Sequence, residues 1–523
     1  MLRHLRSPFE LADMEPAVDR VLRALRSGEK VCIYGDYDVD GVSSTAILVE
    51  TFRWLGAEPA IVIPHRFREG YGMNTARVEE VAASGVTLIV TVDNGISALE
   101  PISRAAQLGV DVVVTDHHLS AEQGLPPAVA IVNPNRDDAA YEHGRLCGAG
   151  VAFKFAHALL KAADQPESRA KAFLLGLLDL VALGTVADMV PLLGENRVLA
   201  RHGLAALQET KRPGLLALLR NAGHRNRTVG PDTVGFVIGP RLNAAGRCGD
   251  AMPALRLLLT RDQGEAASLA ADLERLNRER RKIEEDILTA SLSEADRTLA
   301  DSPGHTLVVG GQGWHLGVVG IVAARLTERY DVPAIVLGID EEGLAKGSAR
   351  SVPGFDIHEA LTACEEHLET YGGHANAAGL RLRADALPDF RSAINEYAEN
   401  VFTGLDRSRV VVADTELQPG EIGWDLQRDL ERMQPFGEGN PAPQFLVRGV
   451  QAVYRPRIVG KNHLRLRVGA NGGTWDAIGF SRGHLKELFE SSAPADLMVH
   501  LTVNEFNGQR RLEFGLLDAR PSA

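Results

Sequence analysis

Cysteine is scarce: the chain has four in 523 residues, Cys32, Cys147, Cys248 and Cys364, with no C-x-x-C pair among them. That pattern excludes a zinc ribbon and a disulfide framework and points to a reducing compartment, so a cytoplasmic protein is expected. No apolar run approaches the ~20 residues needed to span a bilayer, and the opening MLRHLRSPFELADMEP breaks off before a signal-peptide core could form. No membrane association is expected. A GxxxxGK[ST] loop is missing, which argues against ATP-driven work. Positive charge is also in short supply, with 56 Lys and Arg against 69 Asp and Glu and a net charge of -13. This balance is awkward for a nucleic-acid protein, whose nonspecific affinity comes largely from neutralising phosphates. Distribution must then matter more than the total. Between Gly439 and Trp475 there is no acid, while Arg448, Arg455, Arg457, Lys461, Arg465 and Arg467 all fall there. A second basic cluster, Arg275, Arg278, Arg280, Arg281 and Lys282, reads equally well as a solvated helix face.

What is present divides into four stretches. Short apolar runs (VCIY, AIVI, VTLIVTV, DVVVTD, AVAIV) alternate with helix-like segments early in the chain, and an Ala- and Leu-rich helical region follows. This predicts a parallel sheet covered on both faces over 1–255. A long polar helix near 263–295 serves as a connector, 256–303. A second, smaller α/β unit is expected over 304–403. Spaced β-rich runs then predict a small all-β barrel or sandwich over 404–523.

The strongest local signal is YGDYDVDGVSS, where Asp36, Asp38 and Asp40 directly follow the strand VCIY. Three carboxylates so close repel one another unless a cation is present. An EF-hand loop is excluded, because the position needing a bidentate Glu is Ile47 and the preceding element is a strand. Two further strands also run into candidate ligands, Asp93 in VDNG and the trio Asp116, His117 and His118. A lone Asp at a strand end is usually a turn residue or cap. Recurrence at three strand ends favours convergence on one crevice, since ligands of open parallel sheets bind at the carboxyl ends of strands. One of the two histidines is expected to ligate while the other orients a carboxylate or meets a phosphate. Asp188, in the otherwise apolar LVALGTVADMVPL, is a further candidate; a helix cap is its plainer reading. Carboxylates with imidazole suit Mn²⁺ or Mg²⁺, and their number exceeds one coordination sphere. In the second unit, YGGHANAAG could cradle an anion at a helix start through Gly373 and its neighbours, or could simply allow close packing. Ser348 and Arg350 could grip a phosphate. Trp314 and His315 could stack on a base, although burial is commoner for Trp.

The motifs occur in a telling order. GDYDVDG, VDNG, DHH and ADMVPL resemble the metal-binding motifs of the DHH phosphoesterases, and GGHANAAG resembles the glycine-rich motif of the DHH-associated domain. RLNAAGR, WHLGVVGIVAARL, GSARSVPGFDIHEAL and QPFGEGNPAP are similar to the RecJ exonucleases within that family. The resemblance covers nearly the whole chain. It implies that Asp36, Asp38, Asp40, Asp93, His117 and Asp188 hold two Mn²⁺ or Mg²⁺ ions, with His118 also catalytic. Ser348, Arg350, Gly373 and His374 would meet DNA in the cleft between lobes. A C-terminal OB-fold is implied too, in keeping with Arg455, Arg457 and Lys461 as DNA contacts. The implied activity is 5′-to-3′ exonucleolytic hydrolysis of single-stranded DNA by a monomer, releasing nucleotides in repair and recombination. Single-stranded DNA-binding protein and a RecQ-type helicase are implied partners. The first motif is reached after about 35 residues, where family members commonly carry a longer leader. The alternatives are a DHH phosphoesterase of short oligonucleotides or cyclic dinucleotides, and a nonenzymatic DNA-binding scaffold. The first would not need a basic barrel, and the second would not keep every proposed ligand.

Overall fold

The computed structural model describes residues 4–120, 124–136, 138, 141, 145–224, 227–301, 305–404, 410–470, 472–491, 493–506 and 509–522. The junction expected at 303–304 lies outside them. The apolar runs of the first lobe form β1 (Val31–Tyr34), β2 (Ala60–Val62), β3 (Leu88–Thr91), β4 (Asp111–Thr115) and β5 (Ala130–Val132). They make one parallel sheet in the order β2-β1-β3-β4-β5. Successive side chains of a strand face opposite ways. Ile33, Leu88, Val90 and Val113 accordingly pack against helices Met14–Ser27, Val39–Trp54 and Gly148–Ala162. Cys32, Tyr34, Ile89 and Val112 pack on the other side against Thr75–Ala83 and Leu99–Gln107. Burial on both faces is why these strands read as continuous apolar runs. Strand order reverses between β1 and β3, and a crevice at the carboxyl ends of such a switch point is where ligands of this architecture bind.

The connector is one helix, Gln263–Asp301. Ala266, Leu269, Ala270 and Leu273 belong to the core of the first lobe, and Ile287 and Ala295 to that of the second. Its basic cluster is partly turned inward: Arg280 is buried and bonded to Glu284 at 2.6 Å, and Arg275 pairs with Glu279 at 3.0 Å.

The second lobe holds β6 (Leu307–Gln312), β7 (Ala334–Ile339), β8 (Leu344–Arg350), β9 (Thr370–His374) and β10 (Ala377–Arg383) in the order β6-β7-β8-β10-β9. Among these described strands only β6 and β7 run parallel. The glycine-rich run, considered above as a helix start, is the hairpin joining β9 to β10. Gly373 serves a close approach of backbones: a Cβ there, where φ is 147°, would lie 2.4 Å from the carbonyl oxygen of Ala377.

The last unit contains β11 (Thr415–Glu416), β12 (Phe445–Ala452), β13 (Arg457–Val459), β14 (His463–Ala470), β15 (Gly473–Gly479), β16 (Ala495–Phe506) and β17 (Gln509–Pro521). Pairing runs β12-β16-β17-β15-β14 and closes from β14 back to β12, with β15 and β17 the parallel pair of the ring. Val447, Leu464, Val468, Ala477, Leu497, Val499 and Phe514 fill the barrel. This five-stranded ring is an OB-fold. Among the described residues no single helix is long and apolar enough to cross a membrane.

Candidate metal centre

The first lobe brings its acids together through helix starts and strand ends. Asp38 caps the helix Val39–Trp54, its Oδ1 accepting from the Gly41 N–H at 3.0 Å. Asp40, in the first turn, accepts from the Gly148 and Ala149 N–H groups at 2.6 and 2.8 Å. These are unpaired donors at the start of the helix Gly148–Ala162, where a carboxylate is favoured. Beyond β3, Asp93 takes a left-handed φ of 62°, and its N–H donates to the Thr115 carbonyl at 3.0 Å. Beyond β4, Asp116 accepts from the Ile96 and His117 N–H groups at 2.9 and 2.7 Å. Asp188 follows the buried helix Leu178–Ala187.

His117 Nε2 lies 3.0 Å from Asp93 Oδ1, 3.7 Å from Asp188 Oδ2 and 3.8 Å from Asp40 Oδ2. The 3.0 Å contact lacks hydrogen-bond geometry: Asp93 Oδ1, His117 Nε2 and Asp36 Oδ1 are all buried without a partner. Buried polar atoms are rarely left so, and an ion is one standard remedy. Three sets have ligand atoms within 4.8 Å of one another: Asp93, His117 and His118; Asp40, His117 and Asp188; and Asp36, Asp38 and Asp93. These sets, one of carboxylates alone and two that add one or two imidazoles, fit Mn²⁺ or Mg²⁺.

The electrostatics fit the same group. Burial, then repulsion from Asp38, pushes Asp36 well above the usual carboxylate range, and burial, then Asp40, does so for Asp93. Burial and Asp38 raise Asp40 to about 6; burial and Asp40 raise Asp188 to about 8. Burial and the neighbouring His118 bring His117 down to about 4, so its ring stays neutral with a lone pair to offer. A bound divalent cation reverses the penalty on the acids. His118 is placed differently. Burial pulls it down, but its bond to Asp116 Oδ1 at 2.7 Å outweighs this and holds it at about 9, while the same bond overcomes burial to lower Asp116. Tyr71 Oη donates to the Asp93 carbonyl at 3.2 Å and lies 3.0 Å from His118 Nδ1.

Glycine makes this packing possible. A Cβ on Gly184 would lie 2.2 Å from Asp40 Oδ1 and 2.5 Å from Ala149 Cβ; one on Gly148 would lie 2.6 Å from Asp93 Oδ1. Gly184→Ala is expected to cost about 1–3 kcal/mol through overpacking and to weaken Mn²⁺ binding by displacing Asp40. Urea unfolding and calorimetric Mn²⁺ titration check the two effects.

Across from the acids, β8 contributes Ser348 and Arg350 to a groove of about 650 Å³ that also takes in Arg66, Lys346, Gly373 and Arg381. Arg350 Nη1 donates to Ser348 Oγ at 2.8 Å. Burial and then Arg66 lower Arg350, and burial and then Arg66 bring Arg247 down to about 10. Guanidiniums from both lobes, Arg66 and Arg350, thus share the groove, an arrangement that calls for an anion. His374 is exposed at the end of β9 and does not line the groove. Trp314 packs against Gly311 and the core of the second lobe. His315 caps the helix Leu316–Tyr330, its Nδ1 accepting from the Gly317 N–H at 3.2 Å. Neither ring is placed with the groove residues.

The basic stretch of the barrel is less positive in space than along the chain. Lys461 meets Glu285 of the connecting helix at 2.8 Å, Arg455 meets Glu490 at 3.3 Å, and Arg448 and Arg467 pair with Glu416 and Asp476. Arg457 is exposed on β13. Sequence reasoning passed over Arg66, Tyr71, Gly184 and the amides of Gly148 and Ala149. The glycines of REGYGMN and CGAG were the available signal, and Arg247 stood inside the RLNAAGR motif.

A parallel sheet with acids and imidazole at its switch point, facing a cationic groove, defines a metal-dependent phosphodiester hydrolase of the DHH type. Family models match residues 30–185 (DHH family, N-terminal domain), 303–400 (DHHA1 domain) and 413–518 (RecJ OB domain). The single-stranded-DNA-specific exonuclease RecJ of Bacillus subtilis is 40% identical over 517 residues, 98% of this chain and 64% of that protein. The Escherichia coli protein of the same name is 38% identical over 527 residues, 96% of this chain and 89% of its own length. The crystal structure of RecJ in complex with Mn²⁺ from Thermus thermophilus aligns with a TM-score of 0.83 at 33% identity, covering 98% of this chain and 72% of that one. The chain belongs to the RecJ family of exonucleases.

Proposed function

We propose that this chain hydrolyses single-stranded DNA from its 5′ end, releasing nucleotides, with two Mn²⁺ or Mg²⁺ ions held by Asp36, Asp38, Asp40, Asp93, His117 and Asp188. The observation that carries the reading is the meeting of His117 Nε2 with carboxylates from three separate segments, with its lone pair and that of Asp93 Oδ1 buried and unpartnered. Divalent ions there would polarise a phosphodiester and lower the pKa of an attacking water. The chain supplies the rest. The Gly148 and Ala149 amides hold Asp40 in one orientation. His118, kept protonated by Asp116, puts positive charge beside the reacting phosphate, where negative charge grows.

Ser348, Arg350, Arg66 and Arg247 supply the grip on a phosphate one step along the strand. A terminal phosphate monoester carries more charge than an internal diester, so a crowded guanidinium cluster favours a strand end over an interior position. That supports exonucleolytic action at a phosphorylated end, and the 5′ end is taken from the family. The OB barrel, with Arg457 exposed and with Arg455 and Lys461 exchanging their surface partners Glu490 and Glu285 for phosphates, would hold the trailing strand by stacking and charge. Functionally, 1–255 is the catalytic unit, 256–303 the connector, 304–403 the phosphate-gripping unit and 404–523 the strand-binding unit. A monomer in the cytoplasm acting in repair and recombination fits the family, with single-stranded DNA-binding protein and a RecQ-type helicase as partners.

Single-stranded DNA labelled at either end and digested in Mn²⁺ tests activity, polarity and product size together. A 3′-labelled strand is expected to shorten progressively while a 5′-labelled one loses its label as a nucleotide at once; the converse pattern refutes the polarity. Arg350→Ala is expected to raise KM for a 5′-phosphorylated strand by about tenfold, the worth of one charge-assisted contact of about 1.5 kcal/mol. The effect should be smaller on a 5′-hydroxyl strand, and equal effects on both would remove the terminal-phosphate role.

A further inference from the structure

The motif QPFGEGNPAP has no part in the chemistry above, yet it reaches back to the first lobe. Its turn 437–440 is closed on itself, Gly437 N–H donating to the Asn440 carbonyl at 3.0 Å and Asn440 N–H to the Gly437 carbonyl at 3.1 Å. Asn440 Nδ2 donates to the carbonyls of Pro435 and Met433 at 2.7 and 3.1 Å, which fixes the turn on the end of the helix Trp424–Met433. This turn sits on segment 190–193. Leu192 N–H donates to the Glu438 carbonyl at 2.7 Å. A Cβ on Gly437 would lie 2.8 Å from Leu192 Cδ1, and one on Gly439, where φ is 69°, would lie 3.0 Å from Pro191 Cβ. From the other side, Arg197 Nη2 donates to the Met433 carbonyl at 2.6 Å. A cation at that helix end is favoured by the unpaired carbonyls there.

Segment 190–193 is the continuation of Asp188. Between them stands Met189, 70% exposed and at a left-handed φ of 57°. The loop is held behind by the Asp188 N–H on the Gly184 carbonyl at 2.9 Å and the Met189 N–H on the Val186 carbonyl at 3.4 Å, and ahead by Asn196 Nδ2 on the Pro191 carbonyl at 3.1 Å and by the Leu192 N–H on the foreign turn. Of the six carboxylate and imidazole ligands proposed, Asp188 is, among the described residues, the one whose loop is hydrogen-bonded by the C-terminal part of the chain. We propose that the turn 437–440 is a positioning device for Asp188: seating it on segment 190–193 sets the place of that carboxylate, and so couples docking of the barrel unit to metal affinity. The inference rests on the reading of Asp188 as a ligand. Groups that orient a ligand from outside the coordination sphere typically alter affinity by about 10–100-fold.

The test uses the full chain and Mn²⁺ alone, titrated calorimetrically, with binding of single-stranded DNA in EDTA measured alongside. Asp188→Asn is the reference. Asn440→Ala loosens the turn without touching the first lobe, Gly439→Val pushes the turn away from Pro191, and Arg197→Ala loosens it from the opposite side should Gly439→Val fail to fold. About tenfold weaker Mn²⁺ binding in these variants, with DNA binding in EDTA and the unfolding midpoint held, supports the proposal. Mn²⁺ affinity unchanged in the turn variants but lowered in Asp188→Asn overturns the positioning role alone. Affinity unchanged in Asp188→Asn overturns the ligand assignment itself. Loss of Mn²⁺ and DNA binding in equal measure marks general disruption and also overturns the positioning role.

Discussion

Asp93→Ala is expected to lower hydrolysis of single-stranded DNA in Mn²⁺ by about 10³-fold or more, since metal stabilisation of the reacting phosphate is worth several kcal/mol and each 1.36 kcal/mol is tenfold in rate. Asp93 belongs to two of the three groups whose ligand atoms lie close together, so its loss takes a carboxylate from each. The fold should survive. In the metal-free protein this carboxylate is buried, surrounded by other acids and pushed well above its usual range. Removing it relieves repulsion and desolvation, so the metal-free variant should unfold at a temperature equal to or above that of the parent. Adding Mn²⁺ separates the two proteins. A ligand that binds only the folded state stabilises it by about 2.7 kcal/mol at a hundred times its Kd, and the parent should gain such a shift while Asp93→Ala gains little. Calorimetric scans with and without Mn²⁺, beside an activity assay, check both halves; full activity in the variant would remove Asp93 from the site.

Arg212→Leu should cost about 3–5 kcal/mol, the usual result of breaking one side of a buried ion network. Arg212 is buried and forked between two acids. Its Nε donates to both oxygens of Asp179 at 3.0 Å, and its Nη1 and Nη2 reach the two oxygens of Glu50 at 2.7 and 3.0 Å. It also donates to the Gly176 carbonyl at 3.1 Å. Glu50 lies on the helix that begins at Asp38 and Asp40, and Asp179 on the helix that ends at Asp188. The guanidinium thus joins the far ends of two elements whose near ends carry proposed ligands. Lysine cannot reproduce the fork, so Arg212→Lys should recover only part of the loss. Neutralising the partners should recover more: Glu50→Gln and Asp179→Asn added to Arg212→Leu reduce the uncompensated charge, chiefly at Asp179, since Glu50 keeps Arg261 as a partner. Urea unfolding of the single, double and triple variants measures this. A single variant as stable as the parent would contradict the assigned role.

Much of the architecture was legible because its signals are local. The apolar runs are strands buried on both faces, and an acid just past a strand end needs only the strand to be placed. Asp36, Asp93 and His117 were placed just beyond strand ends in that way, and the structure brings them near one another. The reading of the glycine-rich run was looser, because glycine permits several backbones: it allows a hairpin as readily as a helix start, and pairing with β10 selected the hairpin. Trp314 and His315 illustrate another limit. An aromatic or imidazole has the same identity in a core as on a binding surface, and only the neighbours Gly311 and Gly317 give these two their packing and capping tasks. The acid-free run in the barrel was misleading about charge for a similar reason. Absence of acids along the chain says nothing of Glu285, Glu416 or Glu490 arriving from elsewhere.

By itself the sequence determined the kind of chemistry: which side chains are available, that they cluster at strand ends, and that their hard oxygens and imidazole suit a divalent ion. Only the tertiary structure decided how those side chains divide the work. Adjacent histidines diverge because His117 turns toward acids brought from other segments while His118 is captured by Asp116, and a distant turn comes to rest beside the loop of Asp188. These are long-range contacts set by packing, and no local pattern of residues encodes which remote partner a side chain will meet.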